Sequence, residues 1–109
     1  MATNSRYFIL ANYSQKAIAG MVKAPSDRAA AVRKMCEAVG VKFVSLDLCR
    51  GAFDVVMVME ADGYDKALAL KMAVMASGAL SELHILEPID PSAALKYAGV
   101  AAKSYTPAG

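Results

Sequence analysis

The chain has one histidine, His84, set in the apolar run Leu83-His84-Ile85-Leu86. An imidazole on such a strand has two chemical uses, as a general base or as a ligand for a metal or haem. A catalytic imidazole needs an orienting partner within hydrogen-bond reach. Without one, His84 is a hydrogen-bonded structural residue. Asp54 follows a tight connection, where a carboxylate can accept backbone N–H bonds and pin a hairpin. Its other reading pairs it with Asp47. Two close carboxylates push their pKa values apart and can supply an acid or a base. Cys49 is a candidate nucleophile, but nothing beside it in sequence activates a thiol. It reads better as a small buried or edge residue, and Cys36 as core. Ser45, Cys49 and Val56 are candidates for ligand contact, because alternation puts them on one face with these groups. The chain contains no glycine-rich phosphate loop, metal-ligand cluster or nucleophile elbow, so no metal and no cofactor is expected.

These groups must be positioned by a simple order of elements. Tyr7 to Tyr13 is aromatic and branched enough for a first strand. Ser14 is placed to cap a short helix carrying Ile18, Met21 and Val22, which Pro25 ends. Ser26 or Asp27 starts a second helix running to about Gly40, with Ala29, Val32, Met35, Cys36 and Val39 on one face. Val41 to Cys49 reads as a strand. Arg50-Gly51-Ala52-Phe53 turns the chain, with Gly51 free to take a positive φ. Asp54 to Ala61 returns as a strand. Asp62 is a candidate cap for a helix ending near Ser77 and Gly78. Leu83 to Leu86 is a last strand before Pro88. Asp90-Pro91 then opens a final short helix to about residue 103, with residues 104–109 as a loose tail. Strand, helix, hairpin, helix, strand is the split βαβ order of the ferredoxin-like fold. The expected class is therefore α+β, βαββαβ, with helices on one face of a four-stranded antiparallel sheet.

Strand alternation sorts the hairpin into two faces. With Cys49 opposite Asp54, the residues Leu48, Leu46 and Val44 share a face with Val55, Met57 and Met59. That apolar set belongs under the helices, with Leu83 and Ile85 from the last strand. The other face holds Ser45, Asp47, Cys49, Asp54, Val56, Val58 and His84, a mixture that is neither a core nor a solvated surface. The helix from Tyr64 to Ala76 is apolar on two sides: Leu68, Met72 and Met75 on one, Leu70 and Val74 on the other. Its second side calls for a cover, from the C-terminal segment or from another subunit. The methionines at 57, 59, 72 and 75 follow strand and helix spacing and read as packing, with adaptable fit to a partner as the alternative.

Composition bounds the rest. At 109 residues the chain is long enough for one domain and too short for two. Its hydrophobic fraction of 57% exceeds the roughly 45–50% usual in soluble domains. So much apolar material in a small domain predicts self-association, as a homodimer or a higher homo-oligomer. The net charge is +2 with the basic residues scattered, so no nucleic-acid partner is expected. Two cysteines are too few for a disulfide framework. The start of the chain lacks the basic head and apolar core of a signal peptide, and no apolar stretch reaches bilayer length. The expectation is a cytoplasmic protein without a membrane partner.

At the hairpin, Gly51-Ala52-Phe53-Asp54 followed by Val55-Val56-Met57-Val58-Met59-Glu60 resembles the GYD-domain family of small bacterial and archaeal proteins. Tyr13-Ser14-Gln15, Pro25, Arg28 and Gly40 are similar too, and the likeness covers about residues 6–88. Phe53 stands where the signature tyrosine falls. The literal Gly63-Tyr64-Asp65 comes later, at a helix start, and is a coincidence of sequence. The resemblance implies a dimeric α+β barrel and self-association. It implies no activity and assigns no catalytic residue.

Two functional readings follow. The first is a self-assembling binding or interaction module, with a possible small-molecule ligand. The second is a small cofactor-independent enzyme, of oxygenase or isomerase type, with a pocket on the open sheet face. A deep pocket touching His84 and Asp54 together favours the second, and a filled sheet face the first.

Overall fold

The computed structural model describes residues 4–109. The elements follow in the order β1 Ser5–Tyr13, α1 Gln15–Lys23, α2 Arg28–Ala38, β2 Lys42–Leu48, β3 Val55–Ala61, α3 Tyr64–Ala76, β4 Leu80–Leu86 and α4 Ser92–Ser104. The four strands form one antiparallel sheet in the order β2-β3-β1-β4. This is the ferredoxin-like arrangement of a split βαβ unit.

The central strands show why the sheet has two distinct faces. Along β3, Val55, Met57, Met59 and Ala61 are buried while Val56, Val58 and Glu60 are half-buried. Along β1, Tyr7, Ile9 and Ala11 are buried and Phe8 and Leu10 are not. A period of two in burial is what a strand with one covered face produces. Cys36 of α2 and Ala67 and Leu70 of α3 close the covered side, and Leu83 of β4 completes it. Among the described residues no buried side chain is polar or charged.

Helix ends follow the side chains available. Ser14 Oγ accepts the Ala17 N–H at 3.1 Å and donates to the Gly78 carbonyl at 2.6 Å, fixing the start of α1 against the entry to β4. Asp27 accepts the Ala30 N–H at 3.1 Å and caps α2. Gly40 leaves α2 at φ +74, a left-handed conformation that costs a glycine nothing. Gly51 takes φ +142 in the β2–β3 connection, which the Cys49 N–H closes onto the Asp54 carbonyl at 2.8 Å.

Five expectations are corrected. Val44 does not lie under the helices, because a bulge between Phe43 and Ser45 shifts the register of β2. Phe43 takes the place opposite Met59 and packs on the core, and Val44 is turned outward. Leu48 keeps its register opposite Val55 but lies at the sheet edge, 63% exposed. Asp62 does not cap α3; Gly63 occupies that position and Asp62 pairs with Lys66 at 3.2 Å, one turn on. Pro91 is the cap residue of α4 and not its first helical residue, while Asp90 Oδ1 accepts the Ser92 N–H at 3.0 Å from outside the helix. β4 also begins three residues earlier than the apolar run indicates, because Leu80 pairs with Tyr13 past a register shift that leaves Ser81 of β4 without a partner in the ladder.

α4 is the outlier. Every one of its 13 residues is exposed, and it packs extensively on no other element. Among the described residues no helix is long and apolar enough to cross a membrane.

Candidate functional site

The open face of the sheet is built by the even-numbered residues of β1 and β3. Leu10 lies between Val56 of β3 and His84 of β4, and Asp47 of β2 lies beyond Val56. Phe8 lies between Val58 and Leu86, with Ser45 beyond Val58. The middle of the face is therefore apolar: Phe8, Leu10, Val56 and Val58, each half-buried by its neighbours. Its polar groups lie at the rims. Arg6 of β1 stacks over the Phe8 ring at 5.2 Å, and Lys42 pairs with Glu60 at 3.6 Å.

The other rim carries a connected polar network. Asn12 Nδ2 donates to Glu82 Oε1 at 2.7 Å and to the Ala52 carbonyl at 3.1 Å. The other carboxylate oxygen, Glu82 Oε2, lies 2.9 Å from His84 Nε2. The bond to His84, and then the bond to Asn12, hold the Glu82 carboxyl below its ordinary value. Phe53 reaches from the β2–β3 connection to meet the His84 ring edge-on at 5.6 Å. Phe53 thus folds over the open face and packs on the single histidine.

Asp54 joins this rim through its backbone. Its N–H donates to Asn12 Oδ1 at 2.8 Å and to the Ala11 carbonyl at 3.0 Å. Its carboxylate is held by the backbone of β1: Oδ2 accepts the Tyr13 N–H at 3.0 Å. The β1–β3 ladder ends at Ala11 and Val55, so the carboxylate supplies the acceptor that the ladder no longer can. Asp54 therefore clamps the hairpin to the end of β1.

The candidate residues share a face but not a centre. Asp47 and His84 belong to the two edge strands, in a row with Val56 and Leu10 between them. Three strand spacings separate them, about 14 Å. Ser45 is half-buried on the same edge strand as Asp47. Cys49 is exposed, its thiol 3.7 Å from the Asp47 carbonyl. Among the described residues Asp47 and Asp54 make no hydrogen bond to each other, and no three His, Cys, Asp or Glu side chains are grouped to hold a metal. Asn12 and Glu82, which complete the network around His84, were not among the sequence candidates. Glu82 carries a usable signal, since it stands two residues before His84 and so on the same face.

The opposite side of the sheet holds a recess of its own. It is a cavity of about 250 Å³ between α2 and α3, lined by core residues of the central strands. Neither His84 nor Asp54 lines it.

Comparison with known proteins gives one match. The family model of the GYD domain matches residues 7–98, which takes the likeness beyond Pro88 and into the first half of α4. No curated protein and no solved structure matches the chain.

Proposed function

The chain belongs to the GYD-domain family, and on that premise we propose that it is a self-associating binding module whose subunits meet through the open face of the sheet. The supporting observation is the apolar middle of that face, Phe8, Leu10, Val56 and Val58, which among the described residues no helix packs extensively against. Leu86 extends the strip at 52% exposure. Apolar surface in a continuous patch on a small domain is stabilised by a partner surface of the same kind. A second copy presents the same patch about a two-fold axis, with the sheets about 10 Å apart.

The size of the face adds α4 to the interface. Four strands about 4.8 Å apart and seven residues at about 3.3 Å each give a flat footprint of roughly 440 Å². A stable interface buries about 800 Å² on each partner. The remainder fits α4, whose Leu95, Tyr97 and Val100 are 65%, 78% and 69% exposed.

The test is the mass of the particle. Light scattering at micromolar concentration is expected to give a dimer or a larger assembly, and Val58→Lys to give the monomer with the fold retained. A monomeric wild type, or an assembly indifferent to a lysine at position 58, refutes the reading.

A catalytic reading draws on one observation, the Glu82–His84 pair at 2.9 Å with Asn12 holding Glu82. A carboxylate that orients an imidazole is the arrangement a general base requires. On this reading a second subunit closes the open face into a pocket over His84. Retention of a turnover by His84→Ala refutes it.

A further inference from the structure

The two long helices share one face of the sheet without packing on each other. α2 rests on β2, and α3 on β3 and β4, with no extensive contact between the helices. The cavity of about 250 Å³ lies in the cleft so formed. Small side chains keep it open: Ala31 on α2, Ala67 and Ala73 on α3, and Ala11 on β1 all line it. Its depth is apolar, walled by Met57, Met59 and Leu70, which are 5%, 1% and 6% exposed.

The polar groups of the lining are few and of one sign. They are Tyr13, Arg28, Lys71 and Ser77, and no carboxylate is among them. Tyr13 ends β1 opposite Leu80, three residues after Ser77, so Tyr13, Ser77 and the start of α2 lie toward one end of the cleft. Burial pushes the Tyr13 phenol up, the Arg28 guanidinium beside it opposes that rise, and the Asp54 carboxylate, outside the lining, adds to it. Among the described residues neither Arg28 nor Lys71 pairs with a carboxylate. An apolar recess with a cation at its end and no anion of its own is complementary to an amphipathic acid.

Volume limits the occupant. An apolar cavity of about 150 Å³ takes a benzene ring, so this one takes about ten non-hydrogen atoms. A helix, at about 10–12 Å across, does not fit, which excludes α4 of a second copy. A nucleotide is too large and brings more negative charge than two side chains match.

We propose that the cleft between α2 and α3 binds a small monocarboxylic acid with an aliphatic or aryl body, its apolar part against Met57, Met59 and Leu70 and its carboxylate at Arg28 and the Tyr13 hydroxyl. This site lies on the opposite side of the sheet from the proposed subunit interface and does not depend on it.

The experiment uses the full chain, methyl-labelled on methionine and valine, titrated with octanoate and followed by NMR and calorimetry. Octanoate is expected to bind saturably, in the micromolar to millimolar range of so small a ligand. It should shift the methyls of Met57 and Met59 and leave those of Val56 and Val58, on the other face, in place. Octylamine, with the same chain and the opposite charge, should bind far more weakly. Arg28→Gln should weaken octanoate roughly tenfold or more, the loss expected for a hydrogen bond to a charged group, and Lys71→Gln should weaken it less. Both side chains are half-buried and outside the core cluster, so a native spectrum is expected for each variant. The proposal is overturned by absence of saturable binding, by equal affinity for octylamine, by octanoate affinity unchanged in Arg28→Gln, or by shifts confined to Val56 and Val58.

Discussion

Replacing Asp54 by alanine tests what the carboxylate at the family's signature turn is for. The substitution removes one acceptor, Oδ2, which takes the Tyr13 N–H at 3.0 Å. It leaves the Asp54 N–H bonds to Asn12 Oδ1 and the Ala11 carbonyl in place, because both use the backbone. A hydrogen bond to a charged group is worth about 1.5–3 kcal/mol when removal strands its partner. Asp54 is half-buried and water replaces part of the lost acceptor, so the expected cost is about 1–2 kcal/mol. For a domain of this length that lowers the melting temperature by about 4–10 °C. Asp54→Asn keeps an acceptor oxygen and should recover more than half of the loss. Urea unfolding followed by circular dichroism gives the comparison, at one fixed protein concentration because association makes the midpoint concentration-dependent. An unchanged midpoint for Asp54→Ala, together with a lost ligand or activity, refutes the structural assignment and moves Asp54 to the catalytic reading.

Two further outcomes are expected. A thiol reagent should label one cysteine of the native chain, the exposed Cys49, and reach the fully buried Cys36 only on unfolding; labelling of both at equal rates contradicts the packing of α2. A chain ending at Ile89 should melt lower or form a smaller particle, because α4 packs extensively on no other element of its own subunit and a short helix is marginal in water unless it docks; an unchanged melting temperature and particle mass show that α4 is a passive appendage.

The fold was legible because the central strands alternate without a break. In β3 the odd residues Val55, Met57 and Met59 face the helices and the even residues Val56 and Val58 face away. A slip of one residue exchanges the two sets, so the hydrophobic pattern itself fixes the register. The edge strand β2 has no such protection. Its bulge at Phe43 and Ser45 keeps Phe43 on the core and puts the Arg33 guanidinium 4.6 Å over the Phe43 ring, a contact that alternation alone does not foresee. Asp62 misled for a related reason. A carboxylate before a helix serves equally as a cap or as the partner of a lysine one turn on, and here Lys66 takes it.

The candidate site divides along the same line between short-range and long-range information. That His84, Val56 and Asp47 share one face follows from alternation within each strand. Which of them meet depends on strand order, and the order β2-β3-β1-β4 puts Asp47 and His84 on opposite edges. The same order brings Asn12 of β1 beside Glu82 of β4 and lets the connection after β2 carry Phe53 across to His84. The cleft is less visible still. Ala31, Ala67 and Ala73 read in sequence as good helix formers, and nothing local marks them as walls. Their effect appears only when α2 and α3 settle on different strands and no large side chain on either helix spans the space between. The central strands then present chemically different surfaces on their two sides. One is flat, apolar and wide enough for another protein surface. The other is a recess of a few atoms' depth with a guanidinium at its end. A flat patch and a narrow apolar cleft select different partners, so the two proposals for this domain stand or fall by separate measurements.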